Sequence, residues 1–111
     1  MFWKLIISVT HKGGVNMSLY KKEFPDYDGD FIVPKGWFDN SYHNDVCPRA
    51  EVRVGDNVCF ILWQDYVDIN KRECSDGCRF VFMMEVDDEC VFLYQTNDAK
   101  EVLKLCKSVW R

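Results

Sequence analysis

Phe80-Val81-Phe82-Met83-Met84-Glu85-Val86-Asp87-Asp88-Glu89-Cys90-Val91-Phe92-Leu93-Tyr94-Gln95-Thr96 decides the fold. Successive side chains of a strand point to opposite faces, so Phe80, Phe82, Met84 and Val86 share one side of an extended chain. Cys90, Phe92 and Tyr94 do the same on the next. Asp87-Asp88-Glu89 between them reads as an exposed acidic tip, and the whole stretch as an antiparallel hairpin.

Downstream the period changes. Ala99, Val102, Leu103, Cys106, Val109 and Trp110 recur at helical spacing, a stripe suited to docking on the sheet. Thr96 or Asn97 can cap the first turn, Asp98 adds negative charge at the positive end of the helix dipole, and Lys104, Lys107 and Arg111 suit its other end. Upstream, Val58-Cys59-Phe60-Ile61-Leu62-Trp63 is apolar on both faces and reads as a central strand, preceded by Val52, Val54 and a Gly55-Asp56 turn. Trp3, Leu5, Ile7 and Val9 alternate over residues 2–10 as a half-buried strand, closed by a turn at His11-Lys12-Gly13-Gly14. Residues 16–24 fit a short strand or a helical turn, and Glu23 to Asp30 an acidic loop. The expected fold is α+β, an antiparallel sheet packed against a C-terminal α-helix in a single domain over 1–111.

Composition agrees with such a domain. The 111 residues are 48% hydrophobic and 29% charged, near the globular norm. A formal charge of −4 is the wrong sign for direct nucleic-acid binding. No stretch has the length and apolarity of a membrane span or a cleavable leader, so a cytoplasmic setting is expected, in which the six cysteines stay reduced. Cys59, Cys90 and Cys106 fall in periodic apolar segments as small buried hydrophobes, while Cys47, Cys74 and Cys78 fall in connections.

Chemistry-bearing residues concentrate in Trp37-Phe38-Asp39-Asn40-Ser41-Tyr42-His43-Asn44-Asp45-Val46-Cys47-Pro48. The plainest reading is an ordered loop, its Asp and Asn side chains closing turns while Trp37, Phe38 and Tyr42 plug the edge of the core. A second is a recognition surface of Trp37, Asp39, Tyr42, His43, Asn44 and Asp45, extended by Trp63, Asp65 and Tyr66 at the end of the central strand. A third is a zinc site from the pairs His43-x-x-x-Cys47 and Cys74-x-x-x-Cys78. A fourth is thiol catalysis, with Cys47 as nucleophile, His43 as base, Asp39 or Asp45 orienting it and Arg49 as the nearby cation. Asp26-x-Asp28-Gly29-Asp30 departs from the calcium-loop pattern and reads as an acidic turn.

Asp39-x-Ser41-Tyr42-His43-Asn44-Asp45-x-Cys47-Pro48, then Trp63-x-Asp65-Tyr66, Arg72-Glu73 and Thr96-x-Asp98, resemble small uncharacterised bacterial proteins over residues 37 to 105. The resemblance implies a compact domain and carries no activity with it. The expected function is that of a small acidic, non-enzymatic interaction protein, such as a phage-type or regulatory inhibitor docking on a larger protein partner. The alternative is a zinc- or thiol-dependent enzyme, or a structural zinc site, using His43 and Cys47.

Overall fold

The computed structural model describes residues 18–73 and 77–109. The strand expected over 2–10, the turn at His11, Cys74, Trp110 of the helical stripe and Arg111 beyond it lie outside the described residues. The elements run α1 (Leu19–Glu23), β1 (Phe38–Asp39), β2 (Arg49–Gly55), β3 (Val58–Gln64), a 3-10 turn (Ile69–Lys71), β4 (Phe80–Val86), β5 (Glu89–Thr96) and α2 (Ala99–Val109). Residues 16–24, open between strand and helix in sequence, resolve into the helix α1 over the part that is described.

The strands form a five-stranded antiparallel meander in the order β1-β2-β3-β4-β5, so β3 is central, as its two-sided apolar character requires. α2 lies on one face. Val102 and Cys106 pack there with Trp37, Ala50, Val52, Leu62, Phe80 and Phe82, and Ala99, Leu105 and Val109 fill in around them. Burying each large apolar side chain of this set contributes roughly 1.5–3 kcal/mol, which holds an otherwise marginal 11-residue helix in place. Leu103, expected in the docked stripe, is 41% exposed. The side chains at 99, 102, 105, 106 and 109 already occupy the sheet-facing sector, and 103 falls beyond its margin.

Two register shifts correct the alternation expected from sequence. Phe82 pairs with Tyr94 but Met83 pairs with Phe92, leaving Leu93 as an extra residue in β5. This bulge places Tyr94 on the helix face with Phe82, and Phe92 and Cys90 on the opposite face with Met83 and Glu85. The three therefore do not share a side, and Cys90 is exposed rather than buried. A second shift between Arg53 and Gly55 leaves Val54 41% exposed while Val52 is buried.

The helix start is tied to the hairpin. Asp98, rather than Thr96 or Asn97, is the cap: its Oδ1 accepts the Lys100 N–H at 2.9 Å. The Thr96 hydroxyl accepts the Asp98 N–H at 3.0 Å and donates to Glu101 at 2.6 Å. Asn97 is used elsewhere, its Oδ1 accepting from the Arg79 N–H and the Arg72 guanidinium.

Candidate functional site

The Trp37 to Pro48 connection is fastened to the sheet by its own first residues. Phe38 and Asp39 pair with Glu51 and Ala50, forming the outer strand β1, which sequence periodicity did not reveal. Asp39 is the hub. Its Oδ1 accepts the Ser41 N–H at 3.0 Å and the Ser41 hydroxyl at 2.7 Å, and its Oδ2 accepts the Tyr20 N–H of α1 at 2.8 Å. Burial raises the Asp39 carboxyl above its usual range, and these three donors only partly oppose it. Ser41 Oγ also accepts the Arg49 N–H at 3.2 Å, and Asn40 donates to the buried Glu51 at 2.6 Å.

His43 is held to the same helix. Its N–H donates to Glu23 Oε1 at 2.8 Å, and its Nδ1 lies 2.8 Å from the same oxygen. The two contacts hold the Glu23 carboxyl below its usual range. The Tyr42 ring leans on the imidazole at 4.6 Å, Asn44 donates to the Tyr42 hydroxyl, and the Asp45 N–H closes a turn on the Tyr42 carbonyl. Of the candidate residues in this connection, only Tyr42, His43 and Asn44 face solvent. Trp37 is 6% exposed and lies against Phe82 in the core, so it is unavailable as a surface anchor.

The second group, Trp63, Asp65 and Tyr66, lies deeper than a surface site requires. Trp63 is half-buried with the Arg49 guanidinium 5.1 Å over its ring. Asp65 is fully buried, and its carboxylate accepts the N–H groups of Tyr66 at 2.9 Å and Glu73 at 3.0 Å. Tyr66 is buried beside Phe24 and Tyr27 and donates its hydroxyl to Asp26 at 2.9 Å. Burial first, and the Asp26 carboxylate second, push its phenol upward. Asp65 and Tyr66 are thus buried rather than displayed as the contact surface expected of them, and the Asp65 carboxylate organises the 65–73 connection.

Two arginines complete that scaffold: Arg72, named above only as part of the resemblance, and Arg79, passed over in sequence. Arg72 donates to the carbonyls of Tyr66, Val67 and Gly77, and Arg79 to the Asp65 and Asp30 carbonyls and the Tyr27 hydroxyl. For Arg79 the sequence signal was weak, because an arginine in a polar connection does not announce a carbonyl partner 49 positions away.

The candidate zinc and thiol ligands are spread. Cys47 is fully buried, His43 is 59% exposed on Glu23, and Cys78 is half-buried. Among the described residues no three His, Cys, Asp or Glu side chains are placed to hold a metal ion, and Cys74 lies outside those residues. A thiol buried to this degree is not presented to a substrate, and its proposed base is engaged by Glu23.

Two surfaces were missed. Strand β5, at the sheet edge among the described residues, exposes Val91, Phe92, Leu93 and Tyr94, each by 40% or more. The run of apolar residues on both faces was the available signal, since such a run at a sheet edge cannot be covered by neighbouring strands. The second is a groove between the Pro34-Lys35 turn and α2, signalled by Lys100, Lys104 and Lys107 on the polar side of the helix. No helix among the described residues is long and apolar enough to cross a membrane. Compared with family models, with curated proteins and with solved structures, the chain finds no match.

Proposed function

We propose that the chain is a small, non-enzymatic interaction protein that docks on a larger protein as a regulatory inhibitor, with β5 as its contact edge. The observation that carries this is the row Val91, Phe92, Leu93 and Tyr94, exposed on both faces of β5, the outermost strand among the described residues. An edge strand offers unpaired backbone N–H and C=O groups to an incoming strand, and its apolar side chains supply the contact area. The acidic tip Asp87-Asp88-Glu89 at one end of β5 selects for a basic residue at the matching end of that partner strand. The formal charge of −4 favours a protein over a nucleic acid as the partner. Tyr42, His43 and Asn44, rather than the whole Trp37 to Pro48 connection, form the exposed part of the candidate surface in that connection.

Affinity capture from a native lysate, read by quantitative mass spectrometry, tests the proposal with three versions of the chain. Wild type is expected to recover one species in near-stoichiometric amount and to cross-link to it through β5. Val91→Lys with Leu93→Lys, folded by circular dichroism, is expected to lose that species, and Tyr42→Ala with His43→Ala to keep it. Equal recovery by all three, loss only with the Tyr42 and His43 changes, or self-association of the purified chain through β5 would each overturn it.

A further inference from the structure

We infer that the groove between the Pro34-Lys35 turn and α2 is a second docking surface, built to take an acidic amphipathic helix of a polypeptide partner. This goes beyond the β5 reading and does not depend on it. The groove encloses about 550 Å³ and is lined by Pro34, Lys35, Leu103 and Cys106 together with Lys100, Lys104 and Lys107. Pro34 and Cys106 are buried and give it an apolar floor, and Leu103 projects into the open at 41% exposure.

The charge is the informative part. The chain is acidic overall, yet four lysines converge on this one groove. Among the described residues no carboxylate pairs with any of the four. Glu101, the carboxylate within α2, is turned onto Thr96 and Tyr94 at 2.6 and 3.2 Å, and Asp98 is taken up as the helix cap on the Lys100 N–H. An unneutralised row of this kind is electrostatically unfavourable alone and is relieved by an anionic occupant.

The geometry selects among anions. Lys100, Lys104 and Lys107 follow one another along α2 over about 10 Å at 1.5 Å per residue, with Lys35 on the facing wall. A single carboxylate head, as on a fatty acid, can meet only one end of that row. Acidic side chains at successive turns of a second helix can meet all of it, while that helix lays its apolar stripe on Leu103 and Pro34.

The test is fluorescence anisotropy with a synthetic amphipathic peptide carrying leucines at helical spacing flanked by glutamates. Its twin has lysines in place of the glutamates, and decanoate and a single-stranded oligonucleotide serve as competitors. The expected result is binding of the glutamate peptide and not the lysine peptide. That binding should weaken about 10-fold between 0.05 and 0.5 M salt, as screening shortens the reach of the rim charges. Lys100→Glu, Lys104→Glu and Lys107→Glu together, with unchanged circular dichroism, should abolish it and favour the lysine peptide. Val91→Lys with Leu93→Lys should leave it intact, which separates this surface from β5. Equal binding of both peptides, indifference to the triple reversal, or displacement by decanoate or oligonucleotide at lower concentration than the unlabelled peptide would overturn the inference.

Discussion

The side-chain amide of Gln64, fully buried at the end of β3, grips the backbone of Ile32 from both sides: Oε1 accepts its N–H at 2.8 Å and Nε2 donates to its carbonyl at 2.6 Å. The amide thus does for Ile32 what a neighbouring strand would, and it satisfies a segment with no strand partner of its own. Gln64→Leu should cost about 2–3 kcal/mol, because two backbone groups lose their partners inside the fold. Gln64→Glu should cost at least as much, since it sets a carboxylate against the Ile32 carbonyl. Urea denaturation with an unchanged m-value would register both, and a loss below about 0.5 kcal/mol would mean that water reaches Ile32 freely.

Arg72 plays the corresponding part for the 65–79 region, donating to three carbonyls and to Asn97. Arg72→Lys retains the charge and loses the planar fork that reaches several acceptors at once. It should therefore open this region locally more than it lowers global stability. Hydrogen exchange is the suitable measurement: amides of residues 65–73 should lose protection while those of β3 and β4 keep theirs. Uniform loss across the sheet would show that the scaffold is coupled to global unfolding.

These two clamps mark what the sequence could convey. The hairpin, the central strand and the carboxy-terminal helix were legible because their periods are local: Phe80, Phe82 and Met84, or Val102 and Cys106, state their facing without reference to any distant residue. The bulge at Leu93 was hidden, since an unbroken apolar run offers no alternation to interrupt. Gln64 on Ile32, Asp39 on Tyr20 and Arg79 on Asp30 join residues 19 to 49 positions apart, and a polar side chain carries no address for its partner. Hence the Trp37 to Pro48 connection was located by composition while the roles within it were not.

Thiol chemistry divides the cysteines by place in the fold. Burial pushes the Cys59 and Cys106 thiols up to about 12, with the carboxylates of Glu51 and Glu85 adding to the effect at Cys59. Both thiols are protonated and shielded at neutral pH, whereas Cys90 stands exposed on β5. Iodoacetamide under native conditions should therefore label Cys90 well ahead of Cys59 and Cys106, which should react only on unfolding. Peptide mapping of a labelling time course checks this, and early labelling of Cys106 would mean that α2 lifts from the sheet.

Acid should loosen the contacts that α1 and the acidic loop make. His43 holds the Glu23 carboxyl below its usual value. Burial pushes Asp28 up, but the N–H groups of Val67 and Asp68 more than offset it and leave its carboxyl lowered too. Groups depressed in the folded state contribute stability above their unfolded pKa and lose it as pH falls through the folded one. Asp39 runs the other way: its raised carboxyl takes up its proton more readily when folded, so acid relieves its burial. Glu23→Gln should lower stability at neutral pH by less than about 1 kcal/mol, because the pair is exposed. The gap from wild type should narrow as pH falls from about 6 to 3, through and below the carboxylate range. Thermal melts across that window measure the gap, and a gap that widens on acidification would reverse the assignment.

The tip of the β4–β5 hairpin is the place where the chain can be made more stable. Asp87 and Asp88 both have positive φ, 50° and 70°, the left-handed pair that a tight two-residue hairpin turn demands. Aspartate tolerates this region less well than glycine, and Glu89 adds a third negative charge beside the other two. The Asp87 N–H meanwhile donates to the Asn57 carbonyl at 3.0 Å, tying this tip to the β2–β3 turn, so whatever replaces Asp87 must keep an N–H. Asp87→Asn with Asp88→Gly keeps that donor, places the preferred Asn-Gly pair in the turn and removes two like charges. It should raise stability by about 0.5–1.5 kcal/mol, less at high salt as the charge contribution is screened. Asp87→Pro removes the same donor and forbids the positive φ, and should cost more than the first change gains. Denaturant midpoints of the two variants, measured at low and high salt, should move in opposite directions. Movement of both downward would place the strain elsewhere than in the turn.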